Sequence, residues 1–244
     1  MGVKLISWAK FFRVVNLPTI PGDLLAGAAA VCLGPGGFSP RMVPVLAYAA
    51  AAAIFIYMFG LADNDITGAA TDTGRPIPDG EISLRAAKIA AWLCLCAVVG
   101  IGALAHFPTT WWIVAGILVG CIFLYNRKKW WWTMGVCRGL NVICGGAAVA
   151  GETFCHTSDM GGRLALLAVA FVWTIYIAAV TKYSEGEEQD EGKRRRVGAL
   201  IGGLIYLQLL VLLIFPIKIL LVTGAALLVL LRLSKSLLPK VSAS

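Results

Sequence analysis

Apolar residues run through this chain in long blocks, with the polar residues collected between them. Eight blocks stand out: Leu17–Leu33, Val43–Ala62, Ala86–Ala105, Thr109–Tyr125, Thr133–Gly151, Leu164–Thr181, Val197–Phe215 and Ile217–Leu231. About 20 apolar residues cross roughly 30 Å of hydrocarbon as a helix. The pattern therefore predicts an all-α, polytopic transmembrane helical bundle of about eight spans. Only Pro216 and Lys218 interrupt the run from Val197 to Leu231. At about 1.5 Å per residue that run is too long for one upright helix, and a proline there marks a hairpin. Ahead of the first block, residues 1–16 mix Lys4, Lys10 and Arg13 with Leu5, Ile6, Trp8, Phe11 and Phe12. That mixture predicts a short amphipathic helix lying in the membrane interface, with no small-residue cleavage site after it. Residues 1–244 read as a single transmembrane domain.

Composition agrees. Of 244 residues, 59% are hydrophobic and only 14% charged, with a mean hydropathy of +0.82. An ordinary soluble domain is nearer half apolar and a quarter charged, so a water-soluble globule, a disordered chain and a collagen-like chain are excluded. The net charge of +8 raises the question of nucleic acid. Assigning alternate loops to opposite sides places eighteen of the twenty-one Lys and Arg on one side, leaving only Arg41, Arg163 and Lys218 on the other. The positive-inside rule then puts that side and both termini in the cytoplasm, and the basic charge reports topology, with no nucleic-acid partner. The seven cysteines fall mostly inside apolar blocks, where cysteine acts as a small hydrophobe. Only His106 and His156 are present, so a zinc or haem centre has little support.

The acids are distributed unevenly. Ten of the thirteen sit in two loops of the basic side. One loop carries Asp63, Asp65, Asp72, Asp79 and Glu81; the other carries Glu185, Glu187, Glu188, Asp190 and Glu191. If the second span continues past Ala62, then Asn64, Gly68 and Asp72 fall at i, i+4 and i+8 on one helical face, with Asp65 close by. Glu187 and Glu191 repeat the i, i+4 spacing. Hard oxygen ligands grouped this way suit Mg²⁺, which takes one or two carboxylates and bridges to substrate phosphates. The loop after the fourth span adds Tyr125, Arg127, Lys128 and Lys129, and Arg138 follows. From spacing alone, a diphosphate–Mg²⁺ cradle and a set of ordinary solvated loop ends are equally open. Asp23, inside the first span, is costly in a bilayer. It marks either function or broken helix backbone after Pro18 and Pro21. Trp130–Trp132 beside three basic residues reads as an interfacial aromatic belt.

The stretch NDITGAATDTGRPIPDGEIS resembles the first signature of the UbiA superfamily of intramembrane prenyltransferases, N-D-x-x-D-x-x-x-D followed by R-P-[LI]-P-x-G-x-[IV]-S. Asn64, Asp65 and Asp72 match it, as do Arg75 through Pro78, Gly80 and Ser83. Tyr125 to Lys129 matches the Y-x-x-x-K element. Met134 to Asn141 resembles the M-G-x-C-R-x-L-N run of one UbiA-like branch, and Arg13 with Asn16 resembles the family's first helix. There are departures. Gly68 stands where the family has an Asp, the segment before Arg75 is shorter, the second acidic motif is a glutamate-rich run, and the family's usual nine spans become about eight.

The resemblance implies transfer of a polyprenyl group from its diphosphate to an acceptor inside the bilayer, with Mg²⁺ as cofactor. An aromatic or quinone precursor is the expected acceptor, and polar lipid heads stay open. It implies metal ligands at Asn64, Asp72, Glu187 and Glu191, and catalytic roles for Asn64, Asp65, Asp72, Lys129 and Arg138. Arg13, Asn16, Arg75, Tyr125, Lys128, Asn141 and Tyr183 would bind substrate, and Asp63 or Asp65 would stand in for the carboxylate missing at Gly68. Together with the charge bias it implies a multi-pass protein of a bacterial inner membrane, its active face cytoplasmic. The alternative is a catalytically degenerate relative that binds or transports a lipid-like molecule.

Overall fold

A computed structural model describes residues 2–33, 37–72, 74–150, 160–186 and 190–213. Among them the chain forms α1 (Gly2–Phe11), a 3₁₀ turn (Val14–Asn16), α2 (Thr19–Val31), α3 (Met42–Thr67), α4 (Leu84–Leu104), α5 (Thr109–Lys128), α6 (Trp131–Ala150), α7 (Met160–Ser184) and α8 (Glu191–Leu212), with no strand. Seven of the eight predicted blocks correspond to α2 through α8. The eighth block and the hairpin at Pro216 lie outside the described residues, as do Glu187, Glu188, Cys155 and His156.

Helices α3 to α8 are long and apolar enough to span a membrane, while α2 is shorter because Pro18 delays its start to Thr19. The chain is an integral, multi-pass membrane protein. Its central helix is α6. Of its most apolar stretch 67% is buried, against 28% for α4, α5 and α8, whose outer faces carry Trp92, Leu93, Ile113, Ile117 and Leu210 toward lipid.

Helix α6 packs against α2, α5 and α7. Its contact with α2 is backbone on backbone. A β-carbon on Gly27 would stand 1.8 Å from the carbonyl oxygen of Val142, and one on Gly145 would stand 1.9 Å from that of Leu24. In lipid, where apolar surface gains nothing by meeting apolar surface, such close small-residue approach supplies van der Waals attraction. Gly202, by contrast, has open space around it and makes no such approach.

The basic ends of the helices gather at one end of the bundle. There α3 stops at Thr67, α4 starts after Ser83, whose hydroxyl accepts from the Ala86 amide at 3.2 Å, and α5 ends at Lys128. That end carries the site.

Candidate functional site

Three consecutive polar residues close α3, and each leaves the helix about 100° from the last. Asn64 takes the middle direction and lines a cavity of about 330 Å³ between α3, α5 and α6. Asp63 turns to α5, where it accepts from Asn126 Nδ2 at 2.8 Å and pairs with Arg127 at 3.5 Å. Asp65 turns the other way, is 3% exposed, and pairs with Arg75 at 2.6 Å and Arg13 at 3.3 Å. Neither Asp63 nor Asp65 lines the cavity, and Asp65 holds two arginines that do. Helix α3 does not continue through the motif. Its i, i+4 spacing survives all the same, because Gly68 N–H donates to Asn64 O and Asp72 N–H donates to Gly68 O, each at 2.9 Å. A β-carbon on Gly68 would lie 2.4 Å from Asp72 Oδ2, so positions 64, 68 and 72 do share one side.

Arg75 bridges the two acids, reaching Asp72 Oδ2 at 3.1 Å from the nitrogen that holds Asp65. Lys129 ends α5 in the left-handed region, φ +54°, and its ammonium donates to Asn64 Oδ1. Arg13 holds φ +40°. Among the described residues only these two and His106 are non-glycine residues at positive φ, and two of the three line this cavity. Backbone in that region costs of order 1–3 kcal/mol and persists where surroundings impose it. Burial pulls the Lys129 ammonium below the ordinary lysine value of 10.5; Asp72 and Asp65 oppose the change, Arg75 and Arg13 add to it.

A second polar group lies deeper. Arg138 stands seven residues into α6, about 10 Å along the helix from Trp131. Its Nε lies 2.9 Å from Oδ2 of Asp23, which is fully buried, and its Nη2 reaches Thr19 Oγ1 at 3.2 Å. Asp23 also accepts from Trp173 Nε1 at 2.8 Å, Gln208 Nε2 at 2.7 Å and Asn141 Nδ2 at 3.4 Å, so α2, α6, α7 and α8 meet on one carboxylate. Gln208 fits because Gly22 leaves room; a β-carbon there would stand 2.1 Å from its Oε1.

One cavity therefore collects Arg13, Asn64, Asp72, Arg75, Tyr125, Lys129, Arg138 and Asn141, with Ala53, Ile56, Leu118 and Ile122 as its apolar wall. The other expected residues fall elsewhere. Asn16 is half-buried and gives its carbonyl to Thr19. Lys128 is exposed, and Tyr183 lies under Lys193, 5.4 Å from the ring centroid. Glu191 is 70% exposed beside Arg195 at 2.7 Å, so its carboxylate serves α8 and lies off the cavity. Trp130 and Trp132 stack on each other and are 45% and 42% exposed, as an interfacial belt would be. Sequence reasoning missed Tyr57 and Asn126 in the lining, and Trp173 and Gln208 behind it. For Gln208 the available signal was an amide inside an apolar helix, which is rare without a function or a partner.

Mg²⁺ asks for one or two protein carboxylates and completes its shell with water and phosphate oxygens. Asn64 Oδ1 and the Asp72 carboxylate, both on the cavity wall, fit that modest demand. Among the described residues no three Asp, Glu, His or Cys side chains would cage a metal unaided.

A profile of the UbiA prenyltransferase family matches residues 24–239. No curated protein matches the chain. Among solved structures, that of a digeranylgeranylglyceryl phosphate synthase in membranes superposes with a TM-score of 0.57 at 18% identity, covering 98% of this chain and 88% of that one. A UbiA homologue from Archaeoglobus fulgidus superposes with a TM-score of 0.52 at 15% identity, covering 95% of this chain and 86% of that one. At these identities the two structures share the fold.

Proposed function

Because the chain belongs to the UbiA prenyltransferase family, we propose that it transfers a polyprenyl group from its diphosphate to an acceptor inside the bilayer, in a Mg²⁺-dependent reaction at the cytoplasmic face of a bacterial inner membrane. The observation that carries this reading is a polar mouth of Arg13, Arg75, Lys129, Asn64 and Asp72 opening directly onto an apolar wall. A prenyl diphosphate has the same two halves.

Lys129, Arg75 and Arg13 bind the diphosphate oxygens, as charge-assisted donors do, and stabilise the charge that grows as the allylic C–O bond breaks. Held by Asn64 and Asp72, Mg²⁺ would neutralise the diphosphate further and improve it as a leaving group. The bond electrons leave with the diphosphate. Tyr125 and Tyr57 offer ring faces to the positive carbon left behind. Ala53, Ile56, Leu118 and Ile122 seat the chain and exclude water. The acceptor's nucleophilic atom closes the new bond, and its proton departs with the released diphosphate.

One observation favours the alternative of a lipid-binding relative without transfer chemistry. Position 68 lacks its carboxylate, and both neighbouring acids are engaged elsewhere. Thermal unfolding with farnesyl diphosphate, in Mg²⁺ or in chelator, tests the site. Transfer predicts Mg²⁺-dependent stabilisation that Asp72→Ala removes, together with diphosphate release. Equal stabilisation in chelator would discard the metal site. Mg²⁺-dependent binding with no diphosphate released from any prenyl donor would favour the lipid-binding reading.

A further inference from the structure

Charge separates the cavity into two stations. At the mouth three cations, Arg13, Arg75 and Lys129, face two carboxylates, Asp65 and Asp72. The deeper station holds one cation, Arg138, already paired with Asp23. An anion entering the cavity is drawn to the mouth and finds no net positive charge below it.

The deeper station still offers two polar atoms. Arg138 faces Asp23 with Nε as an ion pair without a directed hydrogen bond and donates through Nη2 to Thr19 and Asp23; among the described residues its Nη1 makes no hydrogen bond. Asn141 donates through Nδ2 to Ile20 O at 3.3 Å and to Asp23 at 3.4 Å. Both partners are acceptors, so the amide orientation is set and Oδ1 faces away from them, again with no partner among the described residues. Neither free atom is sealed off as a buried orphan, and both residues line the cavity. The station thus presents one donor and one acceptor on a neutral background. A hydroxyl satisfies both, accepting from Arg138 Nη1 and donating to Asn141 Oδ1. A carbonyl has no hydrogen to give, and a carboxylate sets two lone-pair oxygens against Oδ1 and its charge against Asp23.

We infer that Arg138 and Asn141 form the acceptor subsite and select an uncharged, hydroxyl-bearing acceptor, leaving the diphosphate to Arg13, Arg75 and Lys129. This rests on the transferase reading for the word acceptor; the hydroxyl preference itself stands on the two free atoms. Arg138, for which the family resemblance implies a catalytic role, thereby serves the acceptor.

The test uses the full chain in lipid nanodiscs and titration calorimetry, corrected against empty discs. The probes are two matched pairs, 1-naphthol with 1-naphthoate and benzyl alcohol with benzoate, each run with and without farnesyl thiolodiphosphate as a slow donor analogue. The alcohol should bind about tenfold or more tightly than its carboxylate partner, the scale of one net hydrogen bond plus charge exclusion. In Asn141→Leu that preference should fall below about threefold while donor-analogue affinity changes less than about threefold, a split that general loss of packing would not produce. No preference or a reversed one in both pairs overturns the inference. So does a preference that survives Asn141→Leu, or a donor-analogue loss equal to the alcohol's. Should Asn141→Leu fail to fold, the alcohol-to-carboxylate ratio of the unaltered chain decides alone. An unaltered chain that prefers the alcohols but binds no donor analogue would sink the transferase reading and leave the hydroxyl site standing.

Discussion

The two ends of the cavity handle charge in opposite ways. At the mouth, Arg13, Arg75 and Lys129 sit on turns and a helix end; the Arg13, Arg75 and Asp72 side chains are 38%, 29% and 30% exposed. Water shares the load, and each ion pair has a replacement at hand. Inside, Asp23 is 0% exposed and meets groups from three other helices, all rooted in mid-helix. The mouth can exchange partners when an anion arrives. The deeper station has a fixed geometry and fails as a unit.

The largest expected effect comes from breaking that unit. Arg138→Met leaves a buried carboxylate without its counterion and should lower stability by about 3–5 kcal/mol, read as thermal unfolding in detergent. Asp23→Leu combined with Arg138→Met should recover most of the loss, because no unpaired charge remains. If Arg138→Met melts no lower than Lys129→Met, the contrast between the two ends is wrong.

An intermediate effect belongs to the mouth and shows in binding. Lys129→Met should weaken farnesyl diphosphate binding roughly ten- to hundredfold with little change in melting temperature, since a charge-assisted hydrogen bond is lost at a partly solvated position. The pH dependence sharpens this. Burial lowers the Lys129 ammonium below 10.5, so its charge is lost at lower pH than an ordinary lysine's. Donor affinity should therefore be full while Lys129 is protonated and fall as pH rises through its lowered value, with proton uptake on binding in that range. Lys129→Arg, which stays charged, should flatten the profile.

The smallest effect is expected at Glu191. Its pairing with Arg195 is exposed on both sides, at 70% and 78%, so Glu191→Gln should change stability by less than about 0.5 kcal/mol. The Mg²⁺ dependence of donor binding should also hold. A weakened Mg²⁺ response would return Glu191 to the metal site that its spacing predicts.

The bundle was legible because lipid forces long apolar blocks, and blocks survive as helices whatever their partners. The mouth was legible in composition and less so in roles. Asp63, Asn64 and Asp65 are adjacent letters, yet the rotation of α3 decides that only Asn64 meets the cavity, and sequence spacing does not report rotation against neighbours. At the deeper station Asp23 stood out as a carboxylate in an apolar run. Its partners did not, because Arg138, Trp173 and Gln208 lie 115, 150 and 185 residues away in the chain. Pairing over such distances comes from packing, here from glycines that bring α2 and α6 backbones together.

That separation has a consequence for biogenesis. Helix α2 is 13 residues long, short for a bilayer, and carries a carboxylate, a group that is costly to place in hydrocarbon. During synthesis Asp23 emerges 115 residues before the guanidinium that neutralises it. A ribosome must therefore deliver four further helices before α2 has a reason to stay at its final depth. Its lasting seat is taken only when α6 arrives, and Gln208 on α8 then closes the last contact. A substitution at Arg138 would be felt first as a nascent chain that settles late, in the hands of the membrane's quality-control proteases, before any mature protein existed to assay.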